Sequence, residues 1–186
     1  APTDNDMYIK QEWKKAHYDA AYTRAYRIEV LQNKHGVLIM EHVAVVADTV
    51  QKILDVKMTW KINEDGKIEA VIEAIKDKEF PDLPRFGLRM FLNKKMDEIT
   101  YFGMGPQESY RDKHQASCHG LFRSKVAQMH EDYIRPQENG SHYDCDYVEL
   151  TNGQCGIAAV SKNPFSFNAS VYTQEELERV SHNYEL

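Results

Sequence analysis

From Tyr26 onward the chain alternates apolar and polar positions in short runs broken by turn residues. Tyr26-Arg27-Ile28-Glu29-Val30 has the period of two that marks a half-buried strand. His35-Gly36 turns it into Val37–Ala47, a long β-branched run. Next, Val56, Met58, Trp60 and Ile62 fall on one face, Asn63-Glu64-Asp65-Gly66 follows, and Ile68, Ala70 and Ile72 resume the same period. That pattern predicts a β-hairpin closed by an Asp-Gly turn, with Trp60 pointing into the core. Phe86, Leu88, Met90 and Leu92 alternate with Gly87, Arg89 and Phe91 and predict another strand. Ile99–Phe102 reads as a short strand entering the Gly103-Met104-Gly105-Pro106 loop, and further strands are predicted at Asp144–Leu150, Gly156–Ser161 and Ser166–Tyr172.

One helix is predicted near the C-terminus, where Thr173 can cap, Glu176 lies three residues on as in a capping box, and Leu177 and Val180 share a face. A second helical stretch is expected over Lys10–Thr23, although Trp13, Ala16, Ala20 and Tyr22 keep a ragged period. No internal repeat, low-complexity segment or linker interrupts the pattern. It therefore predicts an all-β chain: one antiparallel domain over residues 1–186, its two sheets packed face to face as a β-sandwich, with one short C-terminal helix.

Composition changes this picture little and narrows the function classes. The 186 residues are 42% hydrophobic and 28% charged, ordinary for a soluble globular domain. The 23 basic residues are outnumbered by 29 acidic ones, for a net charge of −6, and no basic block or arginine stripe exists, which argues against nucleic-acid binding. No apolar run approaches the roughly 20 residues that a spanning helix needs; the longest, Val43–Ala47, is strand-sized. A soluble protein of the cytoplasm or periplasm is expected, with no membrane partner. The N-terminus has neither signal-peptide features nor an initiator Met, which points to a processed chain or an excised piece of a longer one. Cys118, Cys145 and Cys155 are odd in number and lack C-x-x-C spacing, so they predict neither a disulfide framework nor a zinc site and are expected to be buried free thiols.

Several residues carry candidate chemistry. Glycosidases need two carboxylates about 5–5.5 Å apart when configuration is retained, and Glu108 and Glu138 are the local candidates, each on a turn-rich loop. The same Gly- and Pro-rich surroundings suit carboxylates that cap turns. His17, His35, His42, His114, His119, His130, His142 and His182 form no H-E-x-x-H or i, i+4 pair, and His114, Cys118 and His119 come nearest to a metal cluster. Sugar epimerisation would need an acid and a base across a ring, for which His142 with Glu138 or Glu149 is conceivable. A carbohydrate-binding module would need an exposed aromatic platform. Tyr101, Tyr110 and Tyr133 flank the loops and suit packing and hydroxyl anchoring, while Trp13 is ambiguous. Asp4, Asn5 and Asp6 suit an Asx-rich turn.

Three turn-rich stretches stand in fixed order: Leu83-Pro84-Arg85-Phe86-Gly87-Leu88-Arg89, then Tyr101-Phe102-Gly103-Met104-Gly105-Pro106-Gln107-Glu108-Ser109-Tyr110-Arg111-Asp112, then Tyr133-Ile134-Arg135-Pro136-Gln137-Glu138-Asn139-Gly140. Ala1-Pro2-Thr3-Asp4-Asn5-Asp6 precedes them, and Pro164-Phe165-Ser166-Phe167 with Tyr172-Thr173 follows. Together they resemble the C-terminal, small-chain β-sandwich domain of β-galactosidases of glycoside hydrolase family 2, over nearly the whole chain. The resemblance implies a large sandwich similar to the galactose-mutarotase supersandwich. It also implies a domain without catalytic residues, because the family's catalytic glutamates lie on a preceding (β/α)₈ barrel. The expected partners are that barrel domain or large subunit and, in the assembled enzyme, a galactoside. No cofactor is expected in this chain; Mg²⁺ and Na⁺ would sit on other domains of the parent. Asp4, Asn5 and Asp6 would lie near substrate without performing chemistry. The family's sugar-contacting tryptophan falls beyond Leu186, so the sequence reads as a C-terminally truncated piece whose exposed strand edges invite self-association.

Overall fold

The computed structural model describes residues 8–186. It is all-β, with two antiparallel four-stranded sheets and a short C-terminal helix, as the sequence predicts. The chain divides into two compact units, one ending at Gly87 and the other starting at Leu88.

The first unit is a meander of β1 (Tyr22–Asn33), β2 (Gly36–Val46), β3 (Lys52–Asn63) and β4 (Ile68–Lys76) in the order β1-β2-β3-β4. The β3–β4 hairpin forms where predicted: Ile62 pairs with Ile68, and Gly66 takes a φ of 85° that only glycine adopts readily. Asp65 fastens this turn by accepting the Lys67 N–H at 3.0 Å. Val43, Leu54 and Val56 are buried with Tyr18, Phe80 and Leu83 packed against them, at one end of the sheet. Trp60, four positions past Val56 toward the other end, is half-buried rather than core. The predicted Lys10–Thr23 helix is cut to α1 (Lys10–Lys15): His17 enters the left-handed region at φ 56°, one short 3₁₀ turn follows, and β1 begins at Tyr22.

The second unit holds β5 (Glu98–Gly105), β6 (Cys118–Lys125), β7 (Ser141–Thr151) and β8 (Gly156–Asn168) in the order β6-β5-β7-β8. Its core is Ile99, Tyr101, Val126, Met129, Cys145 and Val148, flanked by Phe122, Phe165 and Phe167. Two features correct the sequence reading. The predicted strands Gly156–Ser161 and Ser166–Tyr172 merge into β8, which ends at Asn168; the β7–β8 register shifts between His142 and Tyr147 absorb the irregularity. Phe86–Leu92 has strand alternation but joins no ladder, and its apolar side chains are exposed. Alternation makes a segment able to pair; hydrogen bonds to a neighbour make it a strand. After β8, α2 (Gln174–Arg179) forms under the expected capping box: Thr173 Oγ1 accepts from the Glu176 N–H at 3.1 Å and Glu176 Oε2 accepts from the Thr173 N–H at 2.7 Å. Leu177 is the residue this helix buries.

Only Cys145 is a buried thiol, contrary to the expectation for all three cysteines. Cys118 starts an outer strand and Cys155 sits in the β7–β8 turn, so both are exposed. No helix among the described residues is long and apolar enough to cross a membrane.

Candidate functional site

Glu108 lies where the loop after β5 meets the stretch before β7 and is 8% exposed. The loop reaches this point because Gly103 and Gly105 let β5 pass close to its neighbours; a Cβ on Gly103 would collide with Cys145. Ser109 locks the next residue in place: its N–H donates to Ser141 O at 2.7 Å, its hydroxyl to Met104 O at 3.2 Å, and it accepts from the Tyr143 N–H at 2.9 Å.

Around the Glu108 carboxylate, Oε1 accepts from Lys113 Nζ at 2.6 Å and from the Tyr133 hydroxyl. Oε2 accepts from the Gly140 N–H at 2.9 Å and from the Tyr110 hydroxyl at 3.2 Å. Gly140 sits at φ 71°, where only glycine presents its N–H without strain. Burial pushes the Glu108 carboxyl up, but Lys113, Tyr133 and the Gly140 N–H outweigh it and hold the group below its ordinary value. Lys113 is raised, chiefly by its hydrogen bond to Glu108. Tyr110 is raised by burial and then by the Glu108 charge.

Beside this network lies an open depression of about 360 Å³ lined by Gln107, Glu108, Lys113, His114, Glu131 and Tyr133, among others. Its central carboxylate has each oxygen engaged by two donors, which leaves it poorly suited to take a proton from a substrate. The arrangement suits a charged clasp that fixes two loops against each other.

The other candidates fall apart in space or in environment. Glu138 accepts from Gln174 Nε2 at 3.2 Å, which ties its loop to α2. His142, 2% exposed, packs on Tyr101 and Phe167 and shares a hydrogen bond with Met104 O at 3.0 Å; burial lowers its pKa. Glu149 accepts from the Tyr147 hydroxyl at 2.8 Å and lies on the opposite face of β7 from the core-facing Val148, so it does not face the buried His142. His114 meets Tyr110 O at 3.0 Å and His119 meets Asp144 O at 3.1 Å, so each is spent on a separate backbone carbonyl. No group of three or more His, Cys, Asp and Glu among the described residues is placed to hold a metal ion. Tyr110 and Tyr133 anchor the loops through their hydroxyls, and Tyr101 is core at 1% exposure. Trp13 donates Nε1–H to Asp82 O at 2.9 Å. Asp4, Asn5 and Asp6 lie outside the described residues.

Sequence reasoning singled out Glu108, Tyr110 and Tyr133 but missed Lys113, which stands just past the second signature stretch, and the part played by the Gly140 N–H. The Asn139-Gly140 pair was a usable signal for a positive-φ donor.

Comparison with known proteins adds the wider context. Residues 1–186 match the family described as beta galactosidase small chain. The chain is 46% identical over 186 residues to the β-galactosidase of Actinobacillus pleuropneumoniae, covering all of this chain and 18% of that protein. It is 35% identical over 182 residues to that of Staphylococcus xylosus, covering 98% of this chain and again 18% of the relative. With Vibrio cholerae β-galactosidase the identity is 34% over 151 residues, 78% of this chain and 14% of the relative. The chain thus spans under a fifth of the length of these relatives. A match that runs from the first residue to the last, through the loops that meet at Glu108, places the chain in the β-galactosidase small-chain family.

Proposed function

We propose that the 186 residues act as one non-catalytic domain of a β-galactosidase, the parent enzyme hydrolysing terminal β-D-galactosides with retention. The two glutamates of that reaction belong to a catalytic barrel outside these residues, and this domain packs on the barrel and helps to shape the sugar pocket. Asp4, Asn5 and Asp6 lie near the bound galactoside and take no part in the chemistry. Mg²⁺ and Na⁺, where the parent uses them, are held by other domains. The outer strands β1, β4, β6 and β8 contribute to assembly through their edges.

The observation that carries this reading is the state of Glu108. The buried carboxylate that lines the depression is saturated by Lys113, Tyr133, Tyr110 and the Gly140 N–H, which leaves it a poor acid or base. Hydrolysis of a chromogenic β-galactoside is the test. The purified chain alone is expected to give the buffer rate, and mixing with the barrel-containing remainder of the parent is expected to restore turnover. Hydrolysis by the chain alone overturns the proposal and makes Glu108 and Glu138 the first residues to replace.

A further inference from the structure

The loop between Met129 and Ser141 ends in a tip that is held out in solvent from both sides. Ile134 is 98% exposed, the highest value of any large hydrophobic side chain among the described residues, and Arg135 beside it is also exposed. Its two shoulders are fixed. Before the tip, the Tyr133 hydroxyl donates to Glu108 and accepts from Lys113 Nζ at 3.0 Å, while Tyr133 O accepts from Asn183 Nδ2 at 2.8 Å. After it, Pro136 is buried. Asn139 closes the loop from within: its Oδ1 accepts from the Glu131 N–H at 2.9 Å, and its Nδ2 donates to Gln137 O at 2.9 Å and meets His130 Nδ1 at 3.2 Å. The Gly140 N–H then returns to Glu108.

A slack loop would tuck an isoleucine against the surface, since burying apolar area is favourable. This loop is clamped so that it cannot, and a clamped tip binds without a further cost of ordering itself. We infer that Ile134-Arg135 is a docking prong for another part of the same β-galactosidase polypeptide. The Ile134 side chain seats in an apolar pocket there, and a carboxylate at the pocket rim meets the Arg135 guanidinium. The inference rests on the reading above that the chain is one domain of a larger enzyme. It names the surrounding polypeptide rather than a second copy because the matched stretch is 18% of the relatives' length, so more than four fifths of such a polypeptide lies outside it.

The test is photo-cross-linking in the full-length parent with benzoylphenylalanine in place of Ile134. The expected product joins the tip to a peptide outside these 186 residues that carries aliphatic side chains and an Asp or Glu. No product, or products only within residues 1–186 of the same or a second copy, overturns the prong. A parallel measurement uses thermal inactivation of the full-length enzyme. Ile134→Asp should shorten the half-life about tenfold and Ile134→Val should leave it unchanged. Equal half-lives for Asp and wild type also overturn it. Because Ile134 is almost wholly in solvent, the Asp variant does not disturb the loop's own packing. Chromogenic β-galactoside hydrolysis by the unmodified full-length chain separates the two levels. Its absence overturns both the domain reading and the prong, whereas hydrolysis with failed cross-linking overturns the prong alone.

Discussion

The β1–β4 meander and the Glu108 clasp are ordered by opposite means. The meander consists of strands of 9 to 12 residues paired to their sequence neighbours, with Val43, Leu54 and Val56 as its buried interior. Its ion pairs lie at or near the surface: Lys52 meets the partly exposed Asp55 at 2.6 Å, and Lys67 meets Glu69 at 3.0 Å with both partners exposed. The clasp reverses this. A buried carboxylate gathers Lys113, Tyr133 and Gly140, which are 5, 25 and 32 residues away, and its loops follow from that polar centre. Local periodicity builds the first region, and long-range charge satisfaction builds the second.

Glu108→Ala should disturb this contrast most severely. Four donors lose their acceptor, among them the buried Gly140 N–H, and the second unit should lose about 3 kcal/mol. Amide exchange should speed up in the β5 and β7 segments and stay unchanged through β1–β4. Equal acceleration in both regions would show the clasp to be no local organiser.

The next effect belongs to the meander. Ile53, 1% exposed, should cost about 1 kcal/mol as Ile53→Val. This loss should be independent of pH, whereas the clasp's is not. Because the Glu108 carboxyl lies below its ordinary value in the folded chain, its contribution is complete above the unfolded Glu value of about 4.3 and vanishes as pH falls through the lower folded value. Lys113, raised in the folded chain, keeps its contribution below the unfolded Lys value of about 10.4 and loses it as pH rises through the higher folded value. The melting temperature of the second unit should therefore fall on acidification below about pH 4 in wild type, and less steeply in Glu108→Gln.

The smallest effect calibrates the others. Arg89 and Glu175 form a two-pronged pair at 2.8 Å, and the guanidinium draws the Glu175 carboxyl down to about 2. Glu175 is nevertheless exposed, so Arg89→Ala should shift the thermal midpoint little and should matter less still at high salt.

The legible parts of the fold were those written locally. The Asp65-Gly66 hairpin and the Thr173–Glu176 capping box were readable because each interaction spans only a few residues. Strand β6 was missed: Cys118–Lys125 carries His119, Arg123 and Lys125 on a half-exposed ribbon, and its identity comes from pairing with β5. Phe86–Leu92 failed in the opposite sense, with the right period and no ladder. His17 ended α1 through a left-handed backbone that its side chain does not announce. At the candidate site, Glu108, Tyr110 and Tyr133 were each flagged on their loops, but their meeting was not, because nothing in Glu108 itself indicates Lys113, Tyr133 or Gly140 as its partner.

The contrast between Cys145 and the other two cysteines turns the chain into its own clock. Cys145 is completely enclosed, and burial lifts its thiol to about 11, so the same burial shields it from alkylation at neutral pH both by blocking access and by suppressing the thiolate. Cys118 and Cys155 stand in the open. Two fast modifications report the amount of protein, and the third, slow one reports each occasion on which the sheet between β5 and β7 comes apart. The native sequence thus times its own breathing without an added label.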